Sequence, residues 1–593
     1  MSATAVNSKK TPFADNAKTA DSEQTASSKK KRSKLKKKKK KKKNATPSLI
    51  ELLGRPKQSP LLWSLPDSRR TQPQAKLIKK LYRTTKPKDW QSSFAATIDA
   101  AIDQPHEQIC EVDLLAVLAL VYCYSDCPKL VKNYDVSKII GRVCSHSEQS
   151  NQYFDLQFEP LLSQLLNVEL PLAIAIGLSA TEPNQEWLES AVANFHESVA
   201  QLLDGNGWPE GRLVADFGLL AASWTRCFHL LQKSDIEIGV EVIEQLEWMV
   251  RQFMRLLRAD GSLMLGETGT GISHDAFGKM LLELSEDKID KRLAKLCYPK
   301  SKTPKKLKIG MPDEFDVSEW AQVAATRSSW ARRGSRAAVS FHDHQTTLEV
   351  SNSEILILGE CTPEISINGK PLASSDVIEV ACTHLEDDID YLELELTYGE
   401  VTVQRQIVFN RTDQFLYLSD IVMPPEASRI DYQCTFPVGP NIQPLPESET
   451  TEVYLKSDKF HGLVLPLCLP EWKSERTDDR FSIVENGLRL SQSIDGKGLC
   501  ASLFIDLSEK RCVKPRTWRR LTVAEKLKVV GKDDAAAFRV QVGKQQWLFY
   551  RAIGDAQNRT FLGENFSSEF YVGSMDRDGE VQSLLEIESE EWE

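Results

Sequence analysis

Asp204-Gly205-Asn206-Gly207-Trp208-Pro209-Glu210-Gly211 closes one long run of helical periodicity, and Asp260-Gly261-Ser262-Leu263-Met264-Leu265-Gly266-Glu267 closes another. Their starts are 56 residues apart, the length of a helical hairpin with its loops. Repetition at that period predicts stacked hairpins, as in a solenoid or an α/α toroid, with loops gathered on one face. Around these loops, apolar residues recur at helical spacing from about Leu61 to Leu296, for instance over Trp90–Ile102, Val112–Tyr124, Trp187–Leu203, Leu213–Leu231, Ile236–Leu257 and His274–Leu296. Pro128, Pro160, Pro171, Pro183, Gly141, Gly205 and Gly261 punctuate the pattern. The expectation is about ten helices in an all-α region of some 240 residues.

Lys300–Lys308 breaks this pattern, and from Ser328 onward the chain reads as short alternating strands bounded by Gly, Asn, Asp and Pro. Examples are Ala337–Phe341, Thr346–Val350, Tyr391–Thr397, Val401–Phe409, Leu503–Leu507 and Gln546–Tyr550. Roughly twenty strands suit two large antiparallel sheets packed face to face. The fold class is therefore multidomain α and β, a toroid-like helical domain followed by a large antiparallel β-sandwich. The predicted divisions are a tail at 1–46, helices at 47–299, a basic linker at 300–327 and the sandwich at 328–593.

Charge divides the chain as sharply as periodicity does. Residues 1–50 hold 16 Lys/Arg against 3 Asp/Glu, a surplus of +13; with −9 overall, residues 51–593 carry −22. The Lys-rich tail self-repels, has no apolar area to bury and is expected to be disordered. It attracts polyanions unspecifically, and with Phe13 as its one aromatic it offers bases little to stack on. Met1–Asn44 contains no apolar core of the kind a secretory signal needs, and Leu114–Tyr124 is too short to span a bilayer. On this reading the protein is cytoplasmic and has no transmembrane segment; a misassigned start would leave the cell envelope as the alternative. Twelve cysteines in 593 residues are ordinary usage, and Cys123 and Cys127 read as helical thiols rather than metal ligands.

The layout resembles the heparinase II/III-like polysaccharide lyases, and local stretches carry the resemblance. The Asp260–Glu267 loop is similar to that family's Asp-Gly segment at the end of the toroid. Trp330-Ala331-Arg332-Arg333-Gly334, then His342-Asp343-His344, then Glu354–Glu360 resemble the opening of its sandwich, and Arg405–Asp420 resembles a later hairpin. The resemblance implies β-elimination on uronic-acid polysaccharides. A base takes the C5 proton, and a polar or cationic group neutralises the uronate carboxylate as an enolate-like state develops.

Carried over residue by residue, it implies His342 and His344 as catalytic groups. It also implies zinc, held by His344, Glu360 and His384, a chemically sensible ligand set. Strand alternation would send His342 and His344 to one face, with Asp343 opposite. Asn206, Trp208 and Arg212 are expected to bind substrate from the helical side, with Trp208 stacking on a sugar. Arg212, Arg332, Arg333 and Arg336 are the expected basic patch. The family's catalytic Tyr has no counterpart, because Ala215, Asp216 and Phe217 occupy its place. Three readings stay open: a lyase with altered catalytic motifs acting on an acidic polysaccharide, a non-catalytic glycan-binding or scaffold protein on the same fold, and a nucleic-acid-associated protein that uses the Lys-rich tail.

Overall fold

The computed structural model describes residues 59–81, 109–124, 156–177, 185–267, 276–298, 310–374 and 377–588. The Lys-rich tail, the predicted helix over 90–102, Cys127 and Lys300–Lys308 lie outside them.

Two kinds of helix build the helical region. Gln185–Leu202 buries Ala191, Phe195, Val199 and Leu202, and Val240–Arg255 buries Val242, Leu246, Met249, Val250 and Phe253. Each is an apolar stripe at three- to four-residue spacing, as on a helix with one face to water. Phe217–Lys233, in contrast, is buried continuously from Phe217 to Leu231 and runs through the middle of the core. Glu169 joins that helix to its neighbours, accepting from Arg226 Nε and Nη2 at 2.6 and 2.7 Å, Tyr122 Oη at 3.0 Å and Ser223 Oγ at 2.6 Å. A buried carboxylate so fully partnered has its desolvation offset.

Pro171 does not end a helix, contrary to expectation. The helix runs from Pro160 to Gly177 with a π-helical segment at Gln164–Glu169 ahead of the proline. Such a bulge accommodates the donor that proline lacks. This stretch is long and apolar enough to cross a membrane, the one such helix among the described residues, and 78% of it is buried within the protein.

Both Asp-Gly loops fold alike. Each closes on an antiparallel bridge, Leu203 to Pro209 and Leu257 to Leu263. The amides of Asp204 and Arg258 donate to Trp208 O and Ser262 O, and those of Gly207 and Gly261 donate back to Asp204 O and Arg258 O. The structural repeat is thus 54 residues, with Asp204 matched to Arg258 and Gly207 to Gly261. The shared Asp-Gly letters, 56 apart, are two positions out of register.

The strands begin at Asp316, earlier than the expected 328. The first sheet runs β1 (Asp316–Ser318), β2 (Val323–Arg327), β3 (Arg336–Ser340), β4 (Thr347–Ser351) and β5 (Ile355–Glu360), all antiparallel and in chain order. Val323, Ala325 and Ala338 pack into the helical core, while Ala324, Ala337 and Val339 face the β core. This sheet is therefore shared by both regions.

Among the described residues the remaining strands form four sheets where two large ones are expected. An eight-stranded antiparallel sheet lies at the centre. Leu392, Leu394, Leu416 and Leu418 point from it toward the first sheet and a five-stranded sheet containing Ser428–Pro437. The alternate residues Tyr391, Phe415 and Tyr417 pack on Trp518, Trp547 and Phe549 of another five-stranded sheet. A four-stranded sheet at 524–566 completes the set.

Candidate functional site

The helical region meets the first sheet along a seam tied by buried polar groups. From the first loop, Asp204 Oδ2 accepts from Ser318 Oγ at 2.6 Å, and Trp208 Nε1 donates to Asp316 Oδ2 at 3.1 Å. From the second, Arg258 makes a two-pronged pair with Glu349 on β4, both contacts 2.7 Å, and Glu349 Oε2 also accepts from Leu265 N. Arg327 on β2 reaches the C-terminal end of the Val240–Arg255 helix, donating to the carbonyls of Met254, Arg255 and Leu257 at 2.8–3.0 Å. A guanidinium there satisfies carbonyls the helix leaves open and complements its dipole. Trp330 stacks under both Arg255 and Arg327.

Several residues expected to touch substrate belong to this seam. Trp208 is fully buried and cannot serve as a sugar platform. Arg336 is 1% exposed, donates to the carbonyls of Asn352 and Arg332, and has its pKa pushed well down by burial. Arg332 and Arg333 lie before β3, whereas His342 lies beyond its other end, about six extended residues or roughly 20 Å away. They lie at the far end of β3 from His342 and Gly211, and so do not form the expected patch with Arg212.

His342-Asp343-His344 is not a strand. Asp343 and His344 both have positive φ, 51° and 52°, and Gln345 N donates to His342 O at 3.1 Å. This is the tight turn of the β3–β4 hairpin, of the type whose twist matches its strands. The expected common face for the two histidines does not exist. Glu360 ends β5 opposite Thr347, and His384 lies on an edge strand where Nε2 meets Glu386 Oε1 at 3.0 Å. Among the described residues no three His, Cys, Asp or Glu side chains come together as a metal group. His344, Glu360 and His384 are not brought together as a zinc ligand set.

The seam does bring His342 to the helical side. Its side chain is 22% exposed, with Nδ1 2.8 Å from Gln322 Oε1 and Nε2 3.2 Å from Asp343 Oδ2. Gly211 packs so closely on it that a Cβ there would lie 3.0 Å from His342 Cβ and 2.8 Å from Ala321 O. Next to Gly211, exposed Arg212 donates to Glu210 at 2.9 Å, and Asn206 is exposed at the tip of the first loop.

Five residues on from Gly211 the same segment reaches, at Asp216, a charged cluster absent from the sequence-based site. Arg69 lies 2.9 Å from Glu111, and 3.6 Å from both Asp216 and Glu267. Burial pushes the Asp216 carboxyl up; Arg69 opposes this and Glu267 adds to it. Asp216 enters the sequence reading only as one of three residues, with Ala215 and Phe217, where the resemblance leads one to expect a Tyr. Gln322, which fixes His342, left no signal, since nothing local links residues 322 and 342.

Arg405–Asp420 is a buried structural pair. Both contacts are 2.7 Å, and Tyr432 Oη donates to Asp420 at 2.6 Å.

No family model matches the sequence, and no curated protein does. Solved structures do. Heparinase III superposes with a TM-score of 0.55 at 11% identity over 81% of each chain. A second heparinase III, the BT4657 gene product, gives 0.52 at 11% identity over 81% of this chain and 80% of that one. The helical region joined through a shared sheet to stacked antiparallel sheets is the fold of heparinase III.

Proposed function

We propose that the protein is a polysaccharide lyase that takes a uronic-acid polysaccharide into the seam between the loop Asp204–Asp216 and the His342 turn, and cleaves it by β-elimination. The observation that carries this is His342 on a chain of heparinase III fold: partly exposed, at the seam, and oriented by Gln322. With Nδ1–H donated to Gln322 Oε1, Nε2 is the basic nitrogen. Asp343 Oδ2, 3.2 Å from Nε2 on a side chain 74% exposed, turns to water while Nε2 is unprotonated and accepts from it once it has taken a proton. His342 Nε2 takes the C5 proton, the C4–O bond breaks and a C4–C5 double bond forms. Arg212 neutralises the substrate carboxylate in exchange for Glu210. Asp216, on the same segment as Gly211 and in the cluster around Arg69, returns a proton to the leaving oxygen.

The test is product mass. Elimination yields new non-reducing ends lighter by one water than hydrolysis would. Hydrolytic masses, or intact polymer across a panel of uronic-acid polysaccharides, would count against the reading.

A second reading, binding without turnover, is favoured by Ala215-Asp216-Phe217 in place of a Tyr, with Phe217 fully buried. It expects glycan retention without new ends, surviving His342→Ala.

A further inference from the structure

Away from the seam, a groove of about 550 Å³ opens between the loop carrying Trp472 and the strands Arg516–Arg520 and Lys528–Val529. Its most unusual component is Trp472, 47% exposed on a backbone held from both sides. Thr451 N donates to Glu471 O at 3.0 Å, Lys473 N to Glu449 O at 2.9 Å and Glu475 N to Trp472 O at 3.1 Å, while Trp472 itself bridges to Thr450. An indole left in water on a fixed backbone loses little freedom when a ligand stacks on it.

Polar groups in the groove are of both kinds. Arg520 Nη2 donates to Lys532 O at 2.9 Å and Ala535 O at 3.0 Å; its Nε and Nη1 make no hydrogen bond among the described residues. Lys532 is exposed at the rim. Glu471, held by Thr517 Oγ1 at 2.6 Å, and exposed Glu475 supply acceptors.

We infer that this groove is a second glycan-binding site, distinct from the seam, which takes an oligosaccharide carrying one carboxylate per repeat. The Trp472 face stacks on a sugar ring, Arg520 and Lys532 hold the carboxylate, and Glu471 and Glu475 accept from hydroxyls. A polynucleotide shares the need for an aromatic and cations, but it brings a phosphate at every unit and would meet two carboxylates here. A ligand rich in both hydroxyls and sparse charge satisfies the whole set.

The test is calorimetric titration of the full chain with unsulfated hyaluronan and heparosan oligosaccharides, whose disaccharide repeat carries one carboxylate, beside a neutral glucan oligomer and single-stranded polynucleotide. Trp472→Ala is expected to weaken binding of an acidic oligosaccharide roughly tenfold or more, Trp472→Tyr to restore most of it, and Lys532→Gln to weaken it about threefold. The exposed position of Trp472 keeps these variants folded, which circular dichroism checks. Wild-type affinity in Trp472→Ala, or no binding by any acidic oligosaccharide, overturns the proposal. Binding that disappears in His342→Ala but survives in Trp472→Ala places the glycan at the seam and also overturns it. Tighter, Trp472-dependent binding of polynucleotide overturns the ligand class. None of these outcomes depends on turnover, so failure of the lyase reading is read separately.

Discussion

Trp208 has no exposed surface, and its indole N–H donates to Asp316 on the first strand. Its large buried area makes it a structural anchor between the two regions. Trp208→Ala is expected to destabilise the protein by about 3–5 kcal/mol, read as a large fall in thermal midpoint. A sugar-binding tryptophan would instead lose affinity with the midpoint unchanged. Asp390 makes a pH prediction. Burial pushes its carboxyl from 3.8 to about 6, although Thr326 and Arg411 act the other way. Because the folded value exceeds the unfolded one, this group's stabilising contribution is fully present below the unfolded value. It is lost as pH rises through about 6, a change of up to about 3 kcal/mol. Asp390→Asn should flatten the stability profile over roughly that window, as measured by denaturant midpoints. An unchanged profile would remove Asp390 as its cause.

At the level of elements, the two equivalent loops rest on glycine at one point. Gly207 has φ +79°, and a Cβ there would lie 2.1 Å from Met249 N, a backbone atom that cannot step aside. Gly205, two residues earlier, has nothing within 4 Å. Gly207→Ala should therefore lower the thermal midpoint far more than Gly205→Ala, which is expected to stay within about 1 kcal/mol of wild type. Equal effects would show that the loop does not hold its position against the neighbouring helix. The same scale shows what sequence could and could not reveal. Helices with one wet face and strands such as Val401–Asn410 were legible from periodicity. Strand β2 was not, because Val323–Arg327 is buried on both faces and shows no alternation. The His342–His344 stretch misled for the opposite reason: alternation holds only along extended chain, and two left-handed residues turn it back on itself.

For the whole molecule, the seam explains why helical and β regions were legible separately while the site between them was only partly so. His342 and Arg212 are sequence-based expectations that the proposed site retains. Trp208 and Arg336 were read as ligand groups but are seam residues, because their partners lie across the junction and leave no local trace. The clamp Arg258–Glu349 spans 91 residues of chain, with side chains 3% and 0% exposed. Arg258→Met would leave Glu349 buried without its guanidinium partner, and should destabilise the protein by about 3–5 kcal/mol in denaturant titration. The double variant with Glu349→Leu should recover part of that loss; a double variant no better than the single would deny the pair its role.

The most direct measurement is the ultraviolet absorbance of the unsaturated uronate, followed over time with wild type and His342→Ala on each uronic-acid polysaccharide. The account predicts a steady rise on at least one polymer for wild type and a rate lower by about 10²–10⁴-fold for the variant. No rise on any polymer, or equal rates for both proteins, would contradict it.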